Sequence, residues 1–362
     1  MRSIVRTSGV LVLGALLTLS ACSSGSAAKA SSPTSTAKSS KPKVDAVDPA
    51  SVPVAKSPGC SAAGSVAPGE TKETLTSGGD SRWYFRNVPP DHSLGKGVPL
   101  VLDLHGYSEG AQIHLLMSGL EKFGDAKGFV TLTPQGTGPV ARWDTTLGSK
   151  DLKFLGDLLD TAESQLCIDT NRVFVTGLSN GAFMTSAAAC QFNDRVAAVA
   201  PVAGVRTIKG CTFKRSVPLV AFHGTGDQFV TFDGGLGQKA LDLPAPDGSG
   251  KKLGDTLTPE QRKAGGGDSI PTIMAAWAKR NGCGSARPTE ETIAADVTKV
   301  TYPCPKGAET ILYRVTGGGH SWPGSSFSQN IVNIVGPTTM NVNADEIMWA
   351  FFVAHPLNPA TK

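Results

Sequence analysis

The sequence has no Cys-x-x-Cys pair and no Cys/His cluster at zinc-ligand spacing, so neither a metal nor another cofactor is expected. Charge is sparse and nearly balanced: 34 Lys and Arg against 30 Asp and Glu give a formal net charge of +4. Nucleic-acid binding needs a concentrated basic face, and none is present, so nucleic acid is excluded as a partner. Beyond the N-terminus no apolar run is long enough to form a transmembrane helix. No internal repeat occurs. Aromatics make up 6% of the chain, yet hydrophobic residues make up 40%, so a sizeable core can form and full disorder is excluded. The 42 glycines and 24 prolines imply many turns.

The N-terminus reads as an address. Arg2 and Arg6 form a basic start, and Val10 to Leu19 is an apolar stretch too short to span a bilayer. It ends in Leu19-Ser20-Ala21-Cys22, which resembles a bacterial lipobox. Residues 1–21 are therefore expected to be a lipoprotein signal peptide, with Cys22 lipidated. The protein would be exported and would touch the membrane through that lipid only. Residues 22–59 are rich in Ser, Ala, Lys, Pro and Thr and are expected to form a disordered tether. A single catalytic domain is expected over 60–362.

Six further cysteines remain: Cys60, Cys167, Cys190, Cys211, Cys283 and Cys304. An even number in an exported chain points to disulfides, with 15 pairings open. Proximity in sequence favours Cys190–Cys211 and Cys283–Cys304, which leaves Cys60–Cys167.

From Cys60 onward, short apolar runs alternate with helical patterns. Strands are predicted over Arg82–Val88, Pro99–Leu104, Phe129–Pro134, Arg172–Thr176, Ala197–Val202, Pro218–Phe222 and Thr310–Val315. Helices are predicted over Ala111–Ala126, Asp151–Leu166, Asn180–Gln191, Ile270–Asn281 and Ala344–Ala354. This alternation predicts an α/β fold with a mostly parallel central sheet flanked by helices. The segment 233–268 is rich in Gly, Pro, Lys and Asp and holds one possible short helix at Pro259–Lys263. It reads as a lid-like insertion or a passive surface loop.

Gly177-Leu178-Ser179-Asn180-Gly181 is a G-x-S-x-G. Alone it is a weak signal in so glycine-rich a chain. Here it follows a predicted strand and opens a predicted helix, the setting of a nucleophile elbow. Ser179 is the candidate nucleophile. A serine hydroxyl needs a base, and His320 in Gly317-Gly318-Gly319-His320-Ser321-Trp322 lies in a loop just past a predicted strand. Asp227 in His223-Gly224-Thr225-Gly226-Asp227 follows another strand and is the orienting carboxylate, with Asp233 as its rival. The order Ser, Asp, His is that of α/β-hydrolases. Oxyanion donors are assigned to the backbone N–H groups of Asn180 and of Tyr107, which follows the strand ending at Leu104. His105 is read as structural. Trp143 and Trp322 are candidate walls of a substrate pocket.

The segments GLSNGAFM, HGTGD, GGGHSWPG and LDLHG resemble the polyhydroxybutyrate depolymerase and feruloyl esterase group of α/β-hydrolases, of the carbohydrate esterase kind. The resemblance runs from about Cys60 to Pro356. It implies serine hydrolysis of esters without a metal, on feruloyl or acetyl esters of polysaccharide or on hydroxyalkanoate oligomers. It also implies the two short disulfides. The rivals are a serine peptidase on the same fold and a catalytically silent surface binding protein. Oligomeric state is not legible in the sequence.

Overall fold

The computed structural model describes residues 48–359 except 62–65, 94 and 266. The expected signal peptide, Cys22 and the expected tether up to residue 47 lie outside the described residues.

Ten strands form one sheet: β1 (Gly69–Ser77), β2 (Asp80–Val88), β3 (Val98–Leu104), β4 (Val130–Pro134), β5 (Ile168–Leu178), β6 (Ala198–Val202), β7 (Leu219–Gly224), β8 (Thr289–Ala294), β9 (Val297–Thr301) and β10 (Thr310–Val315). Their spatial order is β1-β2-β4-β3-β5-β6-β7-β10-β9-β8. The centre, from β4 through β3, β5, β6 and β7 to β10, is parallel. Both edges are antiparallel. The central strands are buried along nearly their whole length. That explains their unbroken apolar runs, because helices cover both faces of a parallel sheet.

Ten helices accompany the sheet among the described residues: α1 (Ala111–Ser118), α2 (Leu120–Lys127), α3 (Lys150–Gln165), α4 (Asn180–Gln191), α5 (Gln238–Leu241), α6 (Pro259–Gly265), α7 (Ile270–Arg280), α8 (Ser326–Asn330), α9 (Val332–Val335) and α10 (Ala344–Val353). One core layer includes Phe154 and Leu158 of α3, Met184 of α4 and Trp277 of α7. A layer in which Phe352 of α10 stacks on Phe174 of β5 forms the other.

Four expectations differ from the structure. The helix predicted over Ala111–Ala126 breaks at Gly119, whose φ of 68° ends α1 and leads into α2. Strands β1, β8 and β9 were not expected. β1 alternates between half-buried and exposed residues, and β8 is exposed almost throughout, so neither carries the apolar signature of a central strand. The tether does not extend to residue 59. Val52 is buried, Ala55 N–H donates to Asp169 Oδ1 (2.9 Å), and Ser57 Oγ donates to the Leu166 carbonyl (2.7 Å). These are polar attachments to the start of β5, which composition does not reveal. Finally, 233–268 is more structured than expected: α6 matches the short helix predicted at Pro259–Lys263, and α5 and a 3₁₀ turn at Leu253–Thr256 are added to it.

All three disulfides are present: Cys60–Cys167, Cys190–Cys211 and Cys283–Cys304.

Candidate active site

Ser179 sits in the turn between β5 and α4 with φ 58° and ψ −117°. A residue with a β-carbon adopts such a backbone only under constraint. The constraint is visible. Ser179 N–H donates to the Val202 carbonyl of β6 (2.9 Å), and the flanking glycines pack against β3. A Cβ on Gly181 would lie 2.0 Å from the Leu104 carbonyl oxygen, and one on Gly177 would lie 2.5 Å from it. The glycines of the motif are there because the end of β3 occupies the space of a side chain.

Asp227 follows β7, and His320 follows β10. These strands are hydrogen-bonded neighbours, so their C-terminal loops meet. Gly226 N–H donates to the Gly318 carbonyl (2.9 Å), and His320 N–H donates to the Val335 carbonyl (2.6 Å). A Cβ on Gly319 would lie 2.2 Å from that same Val335 oxygen. The glycine run before His320 therefore permits close packing. His320 Nδ1–H donates to Asp227 Oδ2 at 2.7 Å. Asp227 Oδ1 accepts from the N–H groups of Phe229 (2.8 Å) and Val230 (3.0 Å). Asp227 is 4% exposed and His320 6%. Burial alone would raise the Asp227 carboxyl, but His320, His223 and the Phe229 N–H together hold it below the usual carboxylate range. Phe229 stacks on the His320 ring, with centroids 4.7 Å apart. Asp233 is elsewhere: it lines a separate cavity with Glu260 and Asp268.

Ser179 and His320 line one cleft of about 290 Å³ with Gly106, Tyr107 and Phe229. Apart from Ser108 and Glu109, its other walls are apolar, including Met117, Leu178, Phe327 and Ile331. The Tyr107 and Asn180 backbone N–H groups have no hydrogen-bond partner among the described residues. A Cβ on Gly106 would lie 3.5 Å from Ser179 Cβ, so the loop after β3 abuts the serine.

That loop is held from below by a buried ionic chain. Glu109 Oε2 accepts from Gly106 N–H, and Glu109 Oε1 pairs with His114 Nδ1 (3.1 Å). His114 Nε2 pairs with Asp103 Oδ1 (2.7 Å), and Asp103 Oδ2 accepts from Ser118 Oγ (2.6 Å). Burial would drive the His114 ring neutral, but the Asp103 and Glu109 carboxylates overcome this and raise it to about 10. His105 is structural, as expected. Its Nδ1–H donates to the Gly106 carbonyl (2.7 Å) and its Nε2 accepts from Gly136 N–H (2.8 Å). Burial pushes the ring down to about 4, so it stays neutral.

Both tryptophans differ from expectation. Trp143 is 3% exposed and Trp322 1% exposed, and neither lines the cleft. Trp143 Nε1 donates to the His105 carbonyl (2.9 Å), and its backbone exchanges hydrogen bonds with the Asn180 side chain. Trp322 Nε1 donates to Asp345 Oδ1 (2.8 Å). Each indole is consumed by a buried polar partner, so it braces the loops beside the cleft. The aromatic walls are instead Tyr107, Phe327 and Phe229; Phe229 lies two residues after Asp227 and lacked a motif to single it out. The insertion also reaches the cleft: Tyr107 Oη donates to the Pro244 carbonyl (2.8 Å), and Leu243 lines the walls.

This architecture is the α/β-hydrolase fold. Among solved structures, an acetyl xylan esterase from Aspergillus awamori is similar in fold, with a TM-score of 0.51 and 16% identity over 73% of this chain and 98% of that one. In sequence, the chain is 31% identical over 140 residues to a bifunctional acetylxylan esterase/xylanase of Neocallimastix patriciarum, covering 39% of this chain and 21% of that protein. It is 28% identical over 182 residues to feruloyl esterase B of Piromyces equi (47% and 29%) and 33% identical over 129 residues to poly(3-hydroxyalkanoate) depolymerase C of Paucimonas lemoignei (33% and 30%). The chain thus spans under a third of the length of these relatives. No protein-family model matches it. The relatives are those of the feruloyl esterase and depolymerase group that the motifs resemble.

Proposed function

We propose that the chain is an exported serine esterase that hydrolyses carboxylic esters through a Ser179–His320–Asp227 triad. The observation that carries this reading is the 2.7 Å bond between His320 Nδ1 and Asp227 Oδ2, at the cleft that also contains Ser179 in its constrained turn. Ser179 Oγ attacks the ester carbonyl carbon while His320 Nε2 takes its proton. The carbonyl oxygen becomes an oxyanion that accepts from the Tyr107 and Asn180 N–H groups. Asp227 holds the tautomer with Nδ1–H and stabilises the imidazolium. The tetrahedral species then expels the alcohol, which leaves with the proton from His320. Water, deprotonated by His320, attacks the acyl-enzyme and releases the acid and free Ser179.

The relatives point to feruloyl or acetyl esters of polysaccharide or to hydroxyalkanoate oligomers, and the largely apolar cleft suits an acyl chain or ring. The test compares methyl ferulate, an aryl acetate and a 3-hydroxybutyrate oligomer with the disulfide-bonded protein and its Ser179→Ala variant. Turnover of at least one ester is expected, with kcat lower by about 10⁴ or more in the variant. Ester hydrolysis that survives in Ser179→Ala would overturn the triad.

Export is part of the same proposal. Disulfides form in oxidising compartments, and the leader ends in Leu19-Ser20-Ala21-Cys22. Fatty-acid labelling of the full chain in a bacterial host, lost in Cys22→Ala, is the expected sign of lipidation. Equal labelling of both would refute it.

A further inference from the structure

Ser179 also borders a second cavity of about 200 Å³, shared with Asn180, Phe183, Arg206 and Phe229. Arg206 lies in the segment after β6. Its guanidinium stands 4.0 Å from the centre of the Phe183 ring. Phe183 is in the first turn of α4, and its N–H donates to the Ser179 carbonyl (3.0 Å). The ring beneath the cation is thus one helical turn from the serine. Its backbone is fixed on both sides: Arg206 N–H donates to Ser186 Oγ (3.2 Å), and its carbonyl accepts from Trp277 Nε1 (2.8 Å).

No acid pairs with this guanidinium among the described residues. Its Nε is buried with no hydrogen-bond partner. Arg82 and Arg195, also partly buried, are paired with Asp151 and with Asp160 and Glu163 respectively. Burial lowers Arg206 only to about 10, so it is a cation at neutral pH. Asp233, Glu260 and Asp268 line an outer cavity that shares Arg206, but none comes within ion-pair distance. The Ser179 side of the cavity offers Leu236, Leu243 and Leu253 and no anion. An unpaired, half-buried cation is costly, and stacking on an aromatic ring offsets only part of that cost. A planar guanidinium lining the same cavity as the serine is suited to a carboxylate, which it can hold through two parallel hydrogen bonds.

We propose that Arg206 is a substrate-recognition residue that binds a free carboxylate, so that the preferred substrates are esters carrying a carboxylate on the acyl or alcohol portion. This rests on Ser179 being the nucleophile, and it narrows the substrate class of that site.

The test uses two matched substrate pairs. The mono-4-nitrophenyl ester of succinic acid and its methyl-capped counterpart carry the charge, or lack it, on the acyl side. The free-acid dimer of 3-hydroxybutyrate and its methyl ester do so on the alcohol side. With the wild-type protein, kcat/KM is expected to favour the free acid in at least one pair by about 10- to 100-fold, the range of a charge-assisted hydrogen-bonded pair. Arg206→Met, which keeps the length of the stem over Phe183, is expected to bring that ratio to about 1. Arg206→Lys is expected to retain part of it. Loss of packing alone would lower both members of a pair and leave the ratio unmoved. A calorimetric titration of the Ser179→Ala protein with the same four compounds reads binding without turnover. There the free acid is expected to bind about 10-fold or more tightly than its capped partner, and the difference is expected to vanish with Arg206→Met added. If Ser179→Ala still hydrolyses esters, the triad fails while the titration still judges Arg206. If Arg206→Met does not fold, the wild-type ratios and Arg206→Lys still decide. No preference for the free acid in either pair, or a preference that persists in Arg206→Met, overturns the proposal.

Discussion

Asp227 and Asp233 are six residues apart in sequence and differ completely in what surrounds them. Asp227 has both carboxylate oxygens engaged, one by His320 and one by the N–H groups of Phe229 and Val230. Asp233 faces an outer cavity among other acids. The consequence belongs to the single residue. Asp227→Asn should lower kcat for an ester by about 10⁴ with a modest change in KM, because the amide no longer favours the Nδ1–H tautomer of His320. Asp233→Asn should stay within a few-fold of wild type. A steady-state comparison of the two variants decides the assignment, and a large loss in Asp233→Asn would reverse it.

At the scale of elements, the segment from β3 into α1 couples a buried charge cluster to the loop proposed to supply an oxyanion donor. The loop after β3 has few apolar residues to pin it, and Glu109 pins it by accepting from Gly106 N–H while His114 neutralises the charge. His114 is raised in the folded state to about 10, above its ordinary value of 6.5. Its contribution to stability is therefore fully present below pH 6.5 and is lost as pH rises toward 10. The buried Asp345 carboxyl, pushed up to about 7 by burial, acts in the same direction between pH 4 and 7. Thermal melts should accordingly show a Tm that declines from pH 6 to pH 10. Nitrogen NMR of the His114 ring should show an imidazolium at pH 8, and a neutral ring there would dismiss the ionic description of this loop. Glu109 and His114 carried no signal in the sequence. The link from His114 to Asp103 depends on α1 packing against the end of β3, and no spacing rule encodes that.

For the whole molecule, the disulfides differ in reach. Cys60–Cys167 closes a separation of 107 residues and ties the N-terminal segment to the start of β5. The other two each close 21 residues within neighbouring elements. Loop-closure entropy grows with loop length, so the long link restrains the unfolded chain most. Replacing Cys60 and Cys167 together by Ser should cost about 3–5 kcal/mol in denaturant unfolding, against about 3 kcal/mol for either short pair. An equal or smaller loss for the long pair would mean that the segment around residues 48–60 holds its place through Ala55, Ser57 and Asp169 alone.

The sequence by itself determined the central sheet, because strands buried on both faces must be apolar without interruption and stand out as such. It determined Ser179, Asp227 and His320 as candidates, since each lies at the end of such a strand in a glycine-bearing loop. It determined the disulfide partners as far as proximity and an even count could. Tertiary structure decided the rest. Edge strands β1 and β8 are half-exposed or exposed and take their conformation from a neighbour's hydrogen bonds, so their own residues do not announce them. Trp143 and Trp322 looked like pocket walls from their place beside site residues, but each indole N–H found a buried acceptor and the rings turned inward. Phe229 and Arg206 reached the site instead. Which side chain faces a cavity depends on distances between loops that are far apart in the chain, and only the packed fold sets those distances.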